Sequence, residues 1–342
     1  MLVVIGVVTG GLGRVYGVGV LQFLINGIVV GSIYVLGATG LSLVFGIRKF
    51  ANFAHGELMT FGAYMAYLAN VYWLLDIMWG LLVAVIATAL LAMSLELLVF
   101  RKLANRGPVA ALVASIGLAI FLQNLIALSF GTSITKYNLR IAINWTLLAQ
   151  GGVPVLSINP VKGAATLFAS ITLIVLLHVL LRYTTLGKAM RASADNIDLA
   201  RASGINVRNV ILWTWAIAGA MAAIAGVLIG VALDVRPALG FNILLFVFAA
   251  VIIGGLGSPY GAMLGGFIVG IAQELAVALL AWLGRPDVIS LQNPTAYSPI
   301  AAFVIMILAL LLRPGGLAFG KGTVLRTRAG LRLPKLLFKG GG

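Results

Sequence analysis

The side chains that could do chemistry are few, and the densest group stands at the start of an apolar segment. This group is Asn52, His55 and Glu57. His55 and Glu57 are two residues apart, so in a helix they point to different sides and do not form a paired acid–base device. Two interpretations stay open. The group shapes a pathway through the protein, as ionisable groups at membrane depth usually do, or it begins a helix at the membrane interface, with Asn52 as its cap.

The sequence contains no pattern that predicts a catalytic, cofactor-binding or metal-binding residue. Residues 315–322 nearly match a phosphate-binding loop, but Gly322 stands where a serine or threonine is required. The segment also follows an apolar run rather than a strand, so the structural context of that motif is missing. His55 and His178 are far apart with no carboxylate cluster beside them, and the chain has no cysteine. We therefore predict that no ATP site and no metal site is encoded here.

The elements that position these residues must lie in lipid. Hydrophobic residues make up 62% of the 342 residues and charged residues 9%, whereas soluble domains are about half apolar and a quarter charged. Charge-free windows cover 15–47, 107–135, 209–233 and 288–312, and each exceeds the roughly 20 residues that cross a bilayer. Such spans must be helices, because lipid offers the backbone no hydrogen-bond partner.

We therefore predict an all-α, polytopic transmembrane bundle of eight or nine hydrophobic segments. Residues 1–19 form an amino-terminal extension, 20–313 the transmembrane domain and 314–342 a basic tail. The long loop at about 131–162 is expected to hold short helices. The predicted segments are 20–47, 53–73, 78–99, 108–130, 163–181, 209–233, 240–256, 260–283 and 295–312.

The net charge of +15 follows the pattern of a membrane protein rather than of a nucleic-acid binder. Seventeen of the 23 lysines and arginines fall in three loops and the tail, and alternate crossings place all four on one side. By the positive-inside rule that side is cytoplasmic. The amino terminus is then outside and the carboxy terminus cytoplasmic.

A glycine-rich break interrupts the long uncharged run at 237–273. Gly254, Gly255, Gly257 and Pro259 cannot easily continue a helix. The break is either a short turn between two spans or a discontinuous helix that lines a watery pathway, since irregular backbone at membrane depth must be buried in protein or border a cavity.

The polar segment 190–206 is patterned as one short helix. Asp195 and Asp198 come early and Arg201 late, as the helix dipole favours, and Gly204 can supply the left-handed residue that ends a helix. Ile197, Ala200 and Gly204 share one face. A helix of about ten residues is marginal alone, so this face must pack on the bundle, on lipid or on a partner.

Residues 192–205 (ASADNIDLARASGI) resemble the cytoplasmic coupling loop of ABC-importer permeases. The glutamate-alanine-alanine core of that family corresponds here to residues 192–195. The resemblance implies a short helix, within a loop at about 183–208, that docks into a groove of an ATP-binding subunit. The coupling residues that it implies are Ala192, Ala194, Asp195, Ile197, Ala200, Gly204 and Ile205.

Further motifs resemble the branched-chain amino acid permeases of the LivH type, over about residues 20–317. They are NGIVVGSIY at 26–34, NFAHGE at 52–57, SIG at 115–117, FLQN at 121–124 and GGLGS at 254–258, with the glycines that follow it. The resemblance implies the permease subunit of an importer for leucine, isoleucine or valine in the cell membrane. The implied pathway residues are Asn52, His55, Glu57, Gly254, Gly255 and Gly257.

The same resemblance implies the partners. They are a second similar permease, two cytoplasmic ATP-binding subunits, an external substrate-binding protein, the amino acid and membrane lipid, so the chain itself is not an enzyme. Related permeases carry urea or short amides, which is one alternative. Another is a secondary transporter or channel, which would show many intramembrane carboxylates or inverted repeats. Only Glu57 and Glu274 are candidates for intramembrane carboxylates in this sequence.

Overall fold

The computed structural model describes residues 19–139, 143–150, 153–283, 297–312 and 316–317. The predicted extension at 1–19, except Gly19, and the predicted tail at 314–342, except residues 316–317, lie outside these ranges. The described part consists almost entirely of helices, with one two-stranded sheet. The predicted all-α bundle is therefore confirmed.

Each of the nine predicted segments contains a helix. A three-residue helix, Arg101–Leu103, and three π-helical turns, Leu68–Tyr72, Glu96–Phe100 and Pro160–Ala164, supplement the main elements. The main helices are α1 (Gly19–Arg48), α2 (Ala54–Tyr67), α3 (Ile77–Leu95), α4 (Pro108–Phe130), α5 (Ala165–Tyr183), α6 (Thr185–Asp195), α7 (Ile197–Ala202), α8 (Val207–Ala232), α9 (Leu239–Gly254), α10 (Pro259–Leu283) and α11 (Ser298–Leu312).

Six helical stretches in the described ranges are long and apolar enough to cross a membrane: α1, α3 with its continuation, α4, α5 with its preceding turn, α8 and α10. Neither α2, with 14 residues, nor α9, with 16 residues, is among them. At about 1.5 Å per residue α9 is roughly 24 Å long, short of the roughly 30 Å hydrocarbon core. Both helices are instead buried among the longer ones.

The centre of the bundle is formed by α1 and α8, whose apolar windows are 78% and 83% buried, against 22–28% for α3, α4 and α5. Close packing explains how α1 reaches the centre. A side chain added at Gly27 would meet the backbone of Ile271, and one added at Gly31 the backbone of Phe267. These glycines therefore permit close contact between helices, which matters where lipid gives no hydrophobic drive.

The predicted short helices in the loop at 131–162 are wrong, because this segment contains a β-hairpin. Trp145–Gln150 (β1) pairs antiparallel with Val153–Ile158 (β2). In the sequence only two glycines separate these apolar runs, and Gly-Gly favours a tight hairpin over a helix. Gln22 of α1 holds the hairpin, since its Nε2 donates to Ser157 O at 3.0 Å and its Oε1 accepts from Ser157 N at 2.9 Å.

The glycine-rich break is a turn between two helices that run antiparallel. Gly254 packs against Gly261, and Gly265 against Ala250. Gly255 and Gly257 adopt φ values of +105° and +82°, which a residue with a side chain rarely takes. The short-turn interpretation is therefore correct, and the interpretation as one helix broken in mid-membrane is wrong.

Candidate functional site

Three of the four predicted basic stretches meet at one end of the bundle. One common pocket is lined by Arg48 at the end of α1, Arg101 after α3, Arg201 in the last turn of α7 and Arg208 in the first turn of α8. The fourth stretch, the tail, lies outside the described residues, although Leu317 N donates to Ile253 O at 2.9 Å, close to the glycine turn. We call this end the basic end. Its composition agrees with the cytoplasmic side that the sequence predicts.

The segment that resembles a coupling loop forms a knuckle of two helices, α6 and α7, rather than the single helix that was predicted. Asn196 separates them with extended backbone (φ −155°, ψ 112°), and its Oδ1 accepts from Asp198 N and Leu199 N, both at 3.0 Å. Asparagine is among the preferred helix caps, so it starts a new helix here. Asp195 consequently ends α6 and does not belong to α7, the helix that contains Arg201.

The apolar face of the knuckle packs on its own bundle. Ala200 is buried, and four further candidate residues are partly buried against the same core: Ala192, Ala194, Ile197 and Ile205. Gly204 was predicted to share the face of Ile197 and Ala200, and this is wrong: Gly204 is exposed, with no atom within 4 Å of the position of an added Cβ. Only Asp195 and Gly204 of the predicted set lie at the surface.

The sequence prediction missed the exposed apolar residue of the knuckle, which is Leu199. It is 65% exposed at the middle of α7 and is flanked by the exposed pair Asp198 and Arg201, whose carboxylate and guanidinium lie 3.3 Å apart. The sequence could have indicated that Leu199 is exposed, because Leu199 lies off the helix face that Ile197 and Ala200 share. Gly204 ends α7 with φ +81°, which confirms the predicted left-handed residue.

The knuckle is tied to the central helix α1. Lys49, which directly follows α1, adopts φ +58° and its Nζ donates to Ala194 O at 3.1 Å. Gly46 of α1 lies against both Ala194 and Gly257 of the glycine turn. A displacement of α6 and α7 would therefore act directly on the end of α1 and on the turn between α9 and α10.

A buried ion pair joins α1 to the end of α3. Arg48 pairs with Glu96, and the two side chains are 13% and 2% exposed; Arg48 Nε donates to Glu96 Oε2 at 3.2 Å. The partner of Glu96 is therefore not one of the basic residues that soon follow it in the sequence, Arg101 and Lys102. The π-helical turn that begins at Glu96 and the packing of α1 bring the carboxylate to a residue 48 positions away.

The group formed by Asn52, His55 and Glu57 lies inside the protein, with each residue at most 1% exposed. The His55 ring nitrogen Nε2 is 3.0 Å from Gly37 O, and Gly37 is 11 residues, or roughly 16 Å, along α1 from Arg48. The chain therefore re-enters the bundle after Lys49, and α2 begins at depth. This placement disfavours a helix entry at the membrane interface.

Specific hydrogen bonds hold this deep start of α2. Asn52 Oδ1 accepts from the backbone N–H of Ala54, the first residue of α2, at 3.1 Å, and Phe53 N donates to Ser115 Oγ at 3.0 Å. One turn later Thr60 Oγ1 accepts from Gly240 N at 2.9 Å, which joins α2 to the start of α9. These hydrogen bonds join the start of α2 to α4 and α9 inside the bundle.

Three polar atoms of this group have no hydrogen-bond partner among the described residues: Asn52 Nδ2, His55 Nδ1 and Glu57 Oε2. Buried polar atoms are normally satisfied, so this group stands out from the apolar side chains around it. No group of three or more metal-binding side chains occurs in the same ranges. His178, the other histidine, lies 3.1 Å from Tyr260 OH in an exposed contact.

Comparisons with known proteins place the chain in a family. The sequence model of "Branched-chain amino acid transport system / permease component" matches residues 23–310. The permease protein LivH of Salmonella typhimurium is 33% identical over 87% of this chain and 94% of its own length. BraD of Pseudomonas aeruginosa is 34% identical over 87% and 95%, and a probable LivH of Methanocaldococcus jannaschii is 29% identical over 85% and 90%.

The family match covers all the described helices except the first four residues of α1 and the last two of α11, and it includes the buried α2 start and the knuckle. It agrees with the apolar membrane-spanning helices and with the resemblance read from the motifs. The chain therefore belongs to the permease-component family of branched-chain amino acid transport systems and is a multi-pass membrane protein.

Proposed function

We propose that this chain is the membrane-spanning permease subunit of an ABC importer that moves branched-chain amino acids into the cell. The observation that carries the proposal is the knuckle of α6 and α7. It is exposed at the basic end, presents Leu199 outward, and is tied through Lys49 to the central helix α1. The relatives named above support the class of cargo, since their names describe branched-chain amino acid transport.

The partners follow from this role. Two cytoplasmic ATP-binding subunits dock on the knuckle of this chain and of a second, similar permease, and ATP hydrolysis takes place in those subunits. An external substrate-binding protein delivers the amino acid at the opposite end. The outward apolar faces of α3, α4 and α5, which are largely exposed, are available to lipid and to the second permease.

The mechanism uses the contacts described above. When the ATP-binding subunits close, they push on α7, and its packed inner face at Ala200 transmits the movement instead of absorbing it. Lys49 and Gly46 pass the movement to α1, which also holds His55 through Gly37 O. The deep start of α2 at Asn52, His55 and Glu57 then opens or closes the pathway.

In this proposal the glycine turn links α9 and α10 to the end of α1 and does not line the pathway. Gly257 lies against Gly46 at the basic end, and Gly254 packs against Gly261. Gly254, Gly255 and Gly257 therefore allow α9 and α10 to follow the end of α1.

ATP dependence of uptake tests the proposal. Vesicles containing the complete transporter and an external binding protein are expected to accumulate labelled valine only with ATP on the knuckle side. A variant of the ATP-binding subunit that cannot hydrolyse ATP should abolish uptake, because in this proposal only those subunits hydrolyse ATP. Undiminished uptake would instead identify a secondary transporter or channel, and preferential uptake of urea would correct the class of cargo.

A further inference from the structure

A basic pocket opens at the basic end, between the end of α3 and the connection from α7 to α8. Its volume is about 530 Å³, which is within the range of ordinary ligand sites. Arg201 and Gly204 of the knuckle lie in its wall, but Leu199 and the contacts of Lys49 and Gly46 that tie the knuckle to α1 lie outside it. Its polar walls are formed by Arg48, Glu96, Arg101, Asn105, Arg201, Asn206 and Arg208.

The charge of the pocket fits a phosphate-bearing anion. It contains four arginines and one glutamate, and Glu96 is already paired with Arg48. Arg101 and Arg208 are exposed, and Arg201 shares only a solvent-exposed contact with Asp198, which contributes little. The arginine guanidinium binds phosphate oxygens in a bidentate manner, so this lining fits an anion with several oxygens.

One wall of the pocket is apolar and continues onto the outer surface of the bundle. Leu97, Ile211 and Leu212 form this wall. The next residues along the chain, Leu98 and Trp213, are 64% and 55% exposed. Tryptophan is enriched where helices leave the hydrocarbon region, and α3 presents most of its apolar surface outward. A free phosphate ion would have no use for such a wall, whereas the acyl chains of a lipid would lie along it.

We propose that this pocket binds the phosphate headgroup of an anionic phospholipid. Arg101, Arg201 and Arg208 contact the phosphate, and the acyl chains lie against Leu98 and Trp213 on the outer surface. Basic pockets between membrane helices are known to accept anionic headgroups. The proposal requires only that the basic end lies at a membrane surface, so it does not depend on the cargo of the transporter.

Lipid binding to the full-length chain, purified in detergent, tests this proposal by native mass spectrometry. The probes are phosphatidylglycerol, phosphatidylcholine and inorganic phosphate. The variant R101Q/R208Q is expected to bind phosphatidylglycerol roughly 25-fold more weakly, because each basic residue near an anionic lipid contributes about fivefold. The control R106Q/R191Q removes the same charge from exposed residues outside the pocket wall and should change binding less than about threefold.

A second variant covers the case in which loss of two arginines disturbs the fold. N105D leaves every arginine in place and adds a negative charge to the exposed wall. It should weaken the binding of phosphatidylglycerol about fivefold or more. Equal losses in the pocket and control variants would overturn the proposal in favour of diffuse surface charge. The proposal would also be overturned if inorganic phosphate bound as tightly as phosphatidylglycerol. The same holds if the pocket variants weakened the binding of phosphatidylcholine as strongly as the binding of phosphatidylglycerol.

Discussion

Replacement of Leu199 by aspartate is expected to lower ATP-driven uptake by about 100-fold or more, while the chain still inserts and folds. Leu199 is 65% exposed at the middle of α7, so the substitution removes no core contact. In the assembled transporter the same side chain would be buried in a partner groove. Loss of such an anchor typically costs about 2–4 kcal/mol, or roughly 30- to 1,000-fold, and a buried charge adds to that cost.

Co-purification of the ATP-binding subunits and uptake by vesicles measure this effect together. The matched control is Leu74→Asp, because Leu74 is 79% exposed in the connection between α2 and α3, at the opposite end of the bundle. The control should keep both the ATP-binding subunits and uptake. If the two variants behave alike, α7 is not the docking element.

Replacement of Glu96 by glutamine is expected to destabilise the chain by about 3–5 kcal/mol, which is the usual cost of removing one partner from a buried ion pair. Arg48 would remain with a side chain only 13% exposed and no carboxylate. The expected measurement is a large decrease in thermal stability in detergent. The double variant Glu96→Gln/Arg48→Met should recover most of the loss, since it leaves no buried charge unpaired.

The exposed pair of the knuckle provides the control for this variant. Asp198→Asn breaks a contact whose carboxylate is 92% exposed, and it should change stability by less than about 1 kcal/mol. If the Glu96→Gln variant unfolds at the same temperature as the Asp198→Asn variant, or at a higher one, the buried pair does not join α1 to α3.

Much of the fold could be predicted from the sequence because lipid sets strict conditions. A backbone in hydrocarbon must form its own hydrogen bonds, so long charge-free runs predict helices without reference to tertiary structure. Gly204 could be predicted for a local reason too, because the residue that ends a helix often needs a positive φ. Both predictions depend only on residues that are close together in the sequence.

Other features depend on contacts between distant residues and could not be predicted in that way. Segments that are apolar all around give no periodicity to mark the inner face, so nothing in the sequence pairs Arg48 with Glu96 or seats His55 beside Gly37. The division of the knuckle at Asn196 is a local effect, but the apolar face of Ile197 and Ala200 does not reveal whether it meets a partner or its own bundle. The structure assigns that face to the bundle and leaves Leu199 outward.

The central claim is that the knuckle faces the cytoplasm and is covered by the ATP-binding subunits, and cysteine labelling tests it most directly. The natural sequence has no cysteine, so Ser203→Cys on the knuckle and Ser133→Cys at the opposite end, both at exposed positions, each give a single reporter. A maleimide that cannot cross membranes should label Ser203→Cys only from the cytoplasmic side, and bound ATP-binding subunits should block that labelling. Ser133→Cys should be labelled only from outside, with or without those subunits. Labelling of Ser203→Cys from outside, or no protection by bound subunits, would contradict the account.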